Sequence, residues 1–408
     1  MRRAAAGLVR QRVHNPSLRK MLKSIEYSYE LVRNSAATLI PALITPSPRM
    51  LTVAVTAKCN LRCVGCRYGR DYMTGHELPT EMGKRLIRDA AAAGMSTVRL
   101  YGGEPLLYAG LKELIVESIA CKMTPFVSTN GRLLDRRLDA LFDAGLRIIT
   151  FGYYGHGDTY DTYVHRRGAW NRFEASVAYA RHRYKERLSL HMSYVLNTRT
   201  CSIGELQKAW EFVKHYNLSF HIDLVHYSLP YFTEGPDREL QFTSADAHRI
   251  GFFVDHLAKL KREKPELYEE SDASIRAIPD WLLKGSEMRV PCDAYEMIWV
   301  GADGSVRLCF VTFPLGNLHD KPLSELLFTA EHKQAAVGAV QLACPNCHCA
   351  RDTRIRKHLP SLLRYSLGHS SVHSPQEAPL VPFPIVGQNV VTAEDRGALE
   401  IGRPDTAA

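Results

Sequence analysis

The stretch LTVAVTAKCNLRCVGC, residues 51–66, decides how the rest of the chain is read. Its first part is a run of apolar and β-branched residues of the length of one buried strand. Its second part sets Cys59, Cys63 and Cys66 at the spacing C-x3-C-x2-C. A strand that leads straight into a thiol-rich loop puts those thiols at its carboxyl end, where α/β folds keep their chemistry.

Outward from this stretch the same rhythm repeats. Apolar runs at 97–101, 125–128, 147–152, 189–196 and 219–225 alternate with amphipathic helical stretches at about 80–94, 109–121, 134–144, 172–184, 203–216 and 245–262. Six strand–helix units predict an α/β fold with a parallel sheet, a partial (β/α)6 TIM-like barrel over residues 51–285. The second strand ends in Gly102-Gly103-Glu104-Pro105 and the third in Thr129-Asn130-Gly131, so three unusual loops fall on one rim.

The chain of 408 residues exceeds one ordinary core and predicts a second, smaller module. With 45% hydrophobic and 23% charged residues it has a globular composition, and no run of about 18 apolar residues marks a membrane span. No secretory signal is evident. The expected compartment is therefore the cytoplasm, where the ten cysteines stay reduced or bind metal. The charge of +9 is uneven: residues 1–50 hold nine Arg and Lys against Glu26 and Glu30, a net of +7. Within that segment Pro16 starts a helix, and Leu18, Leu22, Ile25, Tyr29 and Val32 follow at helical spacing. Residues 1–48 are thus expected to contact an anionic membrane surface peripherally or to pack on the main domain. Nothing points to nucleic acid.

Three thiols suit a cubane 4Fe-4S cluster that keeps one iron open, since four thiolates fill such a cluster and structural zinc also takes four ligands. The cysteine loop after strand 1, with GGEP after strand 2, resembles the radical S-adenosylmethionine (SAM) superfamily. The resemblance implies that the open iron binds SAM, that an electron cleaves SAM, and that a 5'-deoxyadenosyl radical takes hydrogen from substrate. It implies SAM contacts for Gly102, Gly103, Glu104, Ser128 and Asn130, with Glu104 meeting the SAM ammonium. In TFGYYGHGDTYDTYVHRRG, Asp161 and Arg167-Gly168 retain part of a further family pattern, which makes Arg167 a SAM-binding candidate although the spacing is too long.

Cys292, Gly304 and Cys309 form C-x11-G-x4-C, and CPNCHC follows at 344–349. This resembles the auxiliary-cluster module called twitch or SPASM, here over 286–358 with a β-hairpin at IWV–ADGS–VRLC. The resemblance implies a second 4Fe-4S cluster on Cys292, Cys309, Cys344 and Cys347, with zinc as the alternative and Cys349 either substituting or standing free. His221 and Asp223 share one face of strand 6 and are candidate substrate ligands or acid/base groups, or else satisfied core polar residues. Tyr227, Tyr231 and Glu234 follow them. Residues 359–408, rich in proline, read as a disordered tail. The implied function is radical oxidation of a small-molecule, sugar or lipid-linked substrate, with a flavodoxin or ferredoxin as electron donor. A peptide-modifying maturase and a non-catalytic iron-sulfur protein are the alternatives.

Overall fold

The computed structural model describes residues 16–226, 235–310 and 312–368. Six parallel strands form the barrel: β1 (Met50–Thr56), β2 (Thr97–Gly102), β3 (Thr124–Thr129), β4 (Ile148–Tyr153), β5 (Ser189–Leu196) and β6 (Ser219–Leu224). The intervening helices are α2 (Thr80–Ala92), α3 (Leu111–Ala120), α4 (Leu134–Asp143), α5 (Asp158–Tyr163), α6 (Ala169–Tyr184) and α7 (Ile203–Tyr216), and α8 (Ala247–Glu263) follows β6. α1 (Pro16–Ala36) precedes them all. The strands lie in chain order across the sheet, as right-handed crossovers through short loops require.

The strands alternate. Residues such as Val98, Leu100, Ile149, Phe151, Met192 and Ile222 are buried on the helix-covered face. Their neighbours Arg99, Ser128, Thr150, His191 and His221 are half-buried on the other, which is the lumen. A lumen open on one side tolerates polar side chains there, because they keep contact with water or with each other.

The predicted C-terminal hairpin extends the same sheet. β7 (Met297–Val300) pairs parallel to β1, with Met50 opposite Met297, and β8 (Ser305–Arg307) returns antiparallel through the turn at Gly304, whose φ is +79°. A third strand, β9 (Pro314–Asn317), completes it. Its PLGN sequence hides the strand, since proline and glycine both disfavour sheet.

Both ends of the described chain correct the sequence reading. On α1 the exposed stripe is Leu18, Met21, Ile25, Tyr29 and Val32, while Leu22 turns half inward. The carboxyl end of α1 is anchored instead by polar side chains: Arg33 donates to the Tyr295 hydroxyl at 2.9 Å, which donates to Asn34 at 2.7 Å. Residues 359–366, expected to be disordered, begin with proline in the first helical turn and form a helix. Arg351–Arg356 (α9) and this Leu359–Ser366 helix (α10) pack together, with Tyr365 buried and Arg276 capping the carbonyls of Tyr365 and Ser366 at 2.9 and 3.0 Å. Residues 369–408 lie outside the described residues, as do Tyr227, Tyr231 and Glu234.

Candidate active site

Two close approaches build the rim. The Gly103 amide donates to the Thr56 carbonyl at 2.7 Å and the Glu104 amide to the Lys58 carbonyl at 2.8 Å, which clamps the GGEP turn on the cysteine loop. A Cβ on Gly102 would stand 2.5 Å from the Thr56 oxygen, and one on Gly103 would stand 2.3 Å from the Lys58 oxygen. Only glycine fits at either position.

Glu104 joins the third loop. Its carboxylate is fully buried and accepts from the Leu106 amide at 3.0 Å, the Thr129 hydroxyl at 2.6 Å and the Asn130 amide at 2.9 Å. Burial raises its pKa despite these donors. The residue predicted to meet a ligand ammonium thus holds the ends of β2 and β3 together. Asn130 extends the link by donating from Nδ2 to Asn60 Oδ1 at 2.8 Å, beside Cys59. Ser128 stands lower in the lumen and accepts from Arg99 Nε at 2.9 Å.

Cys59, Cys63 and Cys66 are half-buried thiols on the resulting shelf. Burial pushes the Cys59 thiol up to about 11, so a metal has to displace its proton. The loop is pinned from α5, where the Val64 amide donates to the Tyr163 carbonyl at 2.9 Å. Tyr154 stacks on Tyr163 at 4.4 Å; burial first, and then the charges of Cys63 and Cys66, raise its phenol well above the ordinary value. It stays neutral beside the thiols. Arg167 is exposed, and its neighbour Arg166 makes the loop contact, donating to the Asn60 carbonyl at 3.3 Å. Asp161 caps α6 by accepting from the amides of Gly168 and Trp170 at 2.5 and 2.7 Å.

Cys292, Cys309, Cys344 and Cys347 line one small pocket together with Arg354. Arg354 is 1% exposed, and its guanidinium donates to the carbonyls of Cys347, Val290 (2.5 Å) and Pro291 (3.3 Å). One arginine therefore fixes the two segments that carry Cys292 and Cys347. Cys347 is drawn below the ordinary thiol value by a hydrogen bond from Cys349 and by Arg354, whereas burial raises Cys292. Cys349 faces the barrel, its sulfur 3.6 Å from His226 Nε2, and His226 stacks on buried His348 at 4.9 Å. Among the described residues no three His, Cys, Asp or Glu side chains converge closely enough to hold a single ion. The fit of both sites to iron-sulfur clusters rests on the chemistry of the gathered thiols. Sequence patterns gave no role to Arg354, Arg166 or Tyr154, and named Thr129 only as part of the third rim loop, without its bond to Glu104.

His221 and Asp223 face the lumen as strand alternation predicts, 3.8 Å apart. Asp223 accepts from the Ser193 hydroxyl and is ringed by protein yet open to solvent, its side chain 61% exposed. Burial works against its charge, but His221, Ser193 and Arg99 together hold its carboxyl well below the usual range. A small cluster of Ala54, Ala57, Tyr68, Met73 and Trp299 has both Cys66 and Phe310, the residue after Cys309, packed against it.

The profile of the Radical SAM superfamily matches residues 53–201, which run from β1 through β5. Over 314 residues the chain is 26% identical to the AdoMet-dependent heme synthase of Methanosarcina barkeri, covering 71% of this chain and 84% of that protein. The fold is similar to that of Streptococcus suis SuiB bound to S-adenosylmethionine, with a TM-score of 0.54 and 16% identity over 82% of this chain and 75% of SuiB. It is also similar to native anSMEcpe with bound AdoMet, with a TM-score of 0.56 and 16% identity over 79% of this chain and 97% of anSMEcpe.

Proposed function

We propose that this chain, which carries a radical SAM domain over residues 53–201, is an enzyme that cleaves SAM reductively and oxidises a small-molecule, sugar or lipid-linked substrate in its lumen. Cys59, Cys63 and Cys66 would hold a 4Fe-4S cluster that would supply the electron for that cleavage, and Cys292, Cys309, Cys344 and Cys347 would hold a second that would accept one from the substrate.

The observation that carries this reading is the mutual bonding of the three rim loops around three thiols, with four further thiols gathered around one small pocket. Gly102 and Gly103 let the backbone of the cysteine loop close onto the GGEP turn, and Asn130 is held at the mouth of β3. Tyr154 and its stacked partner Tyr163 cover the cysteine loop against water. His221 and Asp223, 3.8 Å apart in the lumen, are the acid/base candidates for a substrate that loses hydrogen and an electron.

A relative named for heme synthesis supports a small molecule over a peptide. The maturase alternative draws on likeness of fold alone. A non-catalytic carrier would have no use for the glycine cradle beside the thiols. A flavodoxin or ferredoxin as electron donor and an anionic membrane surface complete the proposed partners.

Anaerobically purified protein is expected to hold about eight irons and eight sulfides per chain. Replacing Cys59, Cys63 and Cys66 together by alanine should halve the iron and abolish formation of 5'-deoxyadenosine. Zinc in place of half the iron, in protein made with ample iron, would remove the second cluster from the proposal. Deuterium passing from labelled metabolites into 5'-deoxyadenosine identifies the substrate.

A further inference from the structure

The cysteine loop and the turn between α5 and α6 lie against each other. The Arg62 amide donates to the Val164 carbonyl at 3.4 Å, and two guanidinium groups close the same contact. Arg166 donates to the Asn60 carbonyl at 3.3 Å, and Arg62 donates to the carbonyls of Cys59 and Leu61 at 3.3 and 3.1 Å. Arg62, Arg166 and Arg167 are exposed. Arg132, in the loop that follows β3, is half-buried, and its pKa is lowered by burial first and then by the charge of Arg166. Arginines from three loops thus gather around the segment that carries the first thiol.

Their charges are left standing. A carbonyl accepts a hydrogen bond but brings no counter-charge, and among the described residues none of Arg62, Arg132, Arg166 and Arg167 forms an ion pair. Asp161, the carboxylate that acts on Arg132, is taken up by the amides of Gly168 and Trp170. Arg172, which also acts on Arg132, is compensated by its pairing with Asp135. A rim with this surplus of positive charge attracts an acidic partner.

Position selects the partner. Arg62 stands between Cys59 and Cys63 in the chain, so a molecule seated on it touches the loop assigned above to the reducing cluster. Electron transfer weakens steeply with distance, which rewards a donor that docks on this loop. Brief redox encounters use small interfaces, and charge steers them into register. Nucleic acid has the charge but no electron to deliver. We propose that Arg62, Arg132, Arg166 and Arg167 form the docking face for a small acidic redox protein of the flavodoxin class. Its flavin hydroquinone gives up one electron for each SAM cleaved and becomes the semiquinone. The fate of that electron rests on the radical reading above, whereas the docking is measured without it.

The test uses the full, iron-loaded chain and purified flavodoxin. Binding, followed by calorimetry, is expected to weaken about tenfold between low and high salt. Arg62→Glu with Arg167→Glu should lower the affinity at low salt about tenfold, and Arg62→Lys with Arg167→Lys, which keeps the charge, should retain it. Iron per chain and a thermal midpoint equal to those of the wild type show that the loop is intact. Arg167→Glu alone changes a side chain with no hydrogen bond or ion pair among the described residues, and it supplies the comparison where the double variant fails to load iron. Formation of 5'-deoxyadenosine is then driven either by reduced flavodoxin or by reduced methyl viologen, a small cation that needs no dock. The ratio of the flavodoxin-driven to the viologen-driven rate should fall about tenfold in the double Glu variant. Two rates that fall together would show that these arginines serve SAM or the cluster, and would overturn the inference. An affinity that neither salt nor the Glu substitutions change would overturn it as well, and so would equal binding by a duplex DNA oligomer. Wild-type protein that forms no 5'-deoxyadenosine with viologen counts against the radical reading alone, since the flavodoxin affinity still decides the dock.

Discussion

Asp223 and His221 stand two residues apart on β6, and the pleat of the strand turns both into the lumen. Burial alone would lower the His221 pKa; its hydrogen bond and charge interaction with Asp223 more than reverse this and raise it. The sign of the linkage follows for each group. The raised His221 contributes stability that is full below its unfolded pKa and is lost as pH rises through the folded value. The depressed Asp223 contributes above its unfolded pKa, and that part is lost as pH falls through the folded value. The pair is therefore most stabilising on the mildly acidic side of neutrality. In Asp223→Asn burial, the strongest influence, and the nearby Arg351 charge are opposed only by Glu270, so the His221 titration, followed by NMR of its ring protons, is expected to move below the ordinary imidazole value. A His221 titration unchanged in that variant would show that the pair does not interact. The two residues are visible in the sequence as a same-face pair, but Ser193 and Arg99, which share the work of charging Asp223, lie on other strands and carry no pattern.

At the scale of the element, the loops that hold thiols are shaped by groups outside them. The segment at 344–349 has little regular structure, and nothing in CPNCHC says how it is held. Arg354, on α9, does this by spreading its donors over carbonyls of both ligand-bearing segments while its guanidinium lies 4.7 Å from the centre of the Trp281 ring. A lysine has the charge without the fork. Arg354→Lys is expected to lose about four of the eight irons while 5'-deoxyadenosine formation persists. Iron per chain and the cluster absorbance measure the first effect, and chromatography of the nucleoside measures the second. Full iron content in that variant would mean that the loop holds its own shape. The contrast with the first cysteine loop is physical. C-x3-C-x2-C after a strand is legible because the cysteine spacing is local, although its clamp, from the Gly103 and Glu104 amides to the Thr56 and Lys58 carbonyls, comes from the end of β2.

Across the whole molecule, the nine-stranded sheet has β6 at one edge, and the C-terminal segment is fastened to that edge by a side chain rather than by a further strand. Arg351 is buried on the far side from β1, donating to the Ile222 carbonyl of β6 at 2.8 Å and to Ser274 Oγ at 2.7 Å, and pairing with Glu270. The C-terminal thiol segment is thereby fastened to the last barrel strand three residues before Arg354 fastens it to the hairpin side. Arg351→Met removes one partner of a buried ion pair, a change that costs about 3–5 kcal/mol. Faster amide hydrogen exchange is expected through β6 and the residues around Glu270, with a lower thermal midpoint, while α2 and α3 keep their protection. Uniform loss of protection across all strands would instead show that Arg351 is not a local fastening of β6.

What the sequence by itself determined is whatever repeats or is spaced locally: the strand–helix alternation, the common rim of three loops, the two groups of thiols and the hairpin turn at Gly304. These follow from period, turn chemistry and ligand spacing, which act between residues a few positions apart. The tertiary structure alone decided which charges are buried and which apolar faces are left uncovered. Glu104 became a tie between strands because Thr129 and Asn130 arrive from the next loop. Arg166 rather than Arg167 reached the cysteine loop because a cap at Asp161 sets the turn of the chain between them. Helix 359–366 formed in a proline-rich tail because Arg276 and a buried Tyr365 hold it, and its Leu359 amide meets Ser35 of α1 only after the chain has folded back on itself. Each outcome depends on partners tens to hundreds of residues away, whose placement no local pattern encodes.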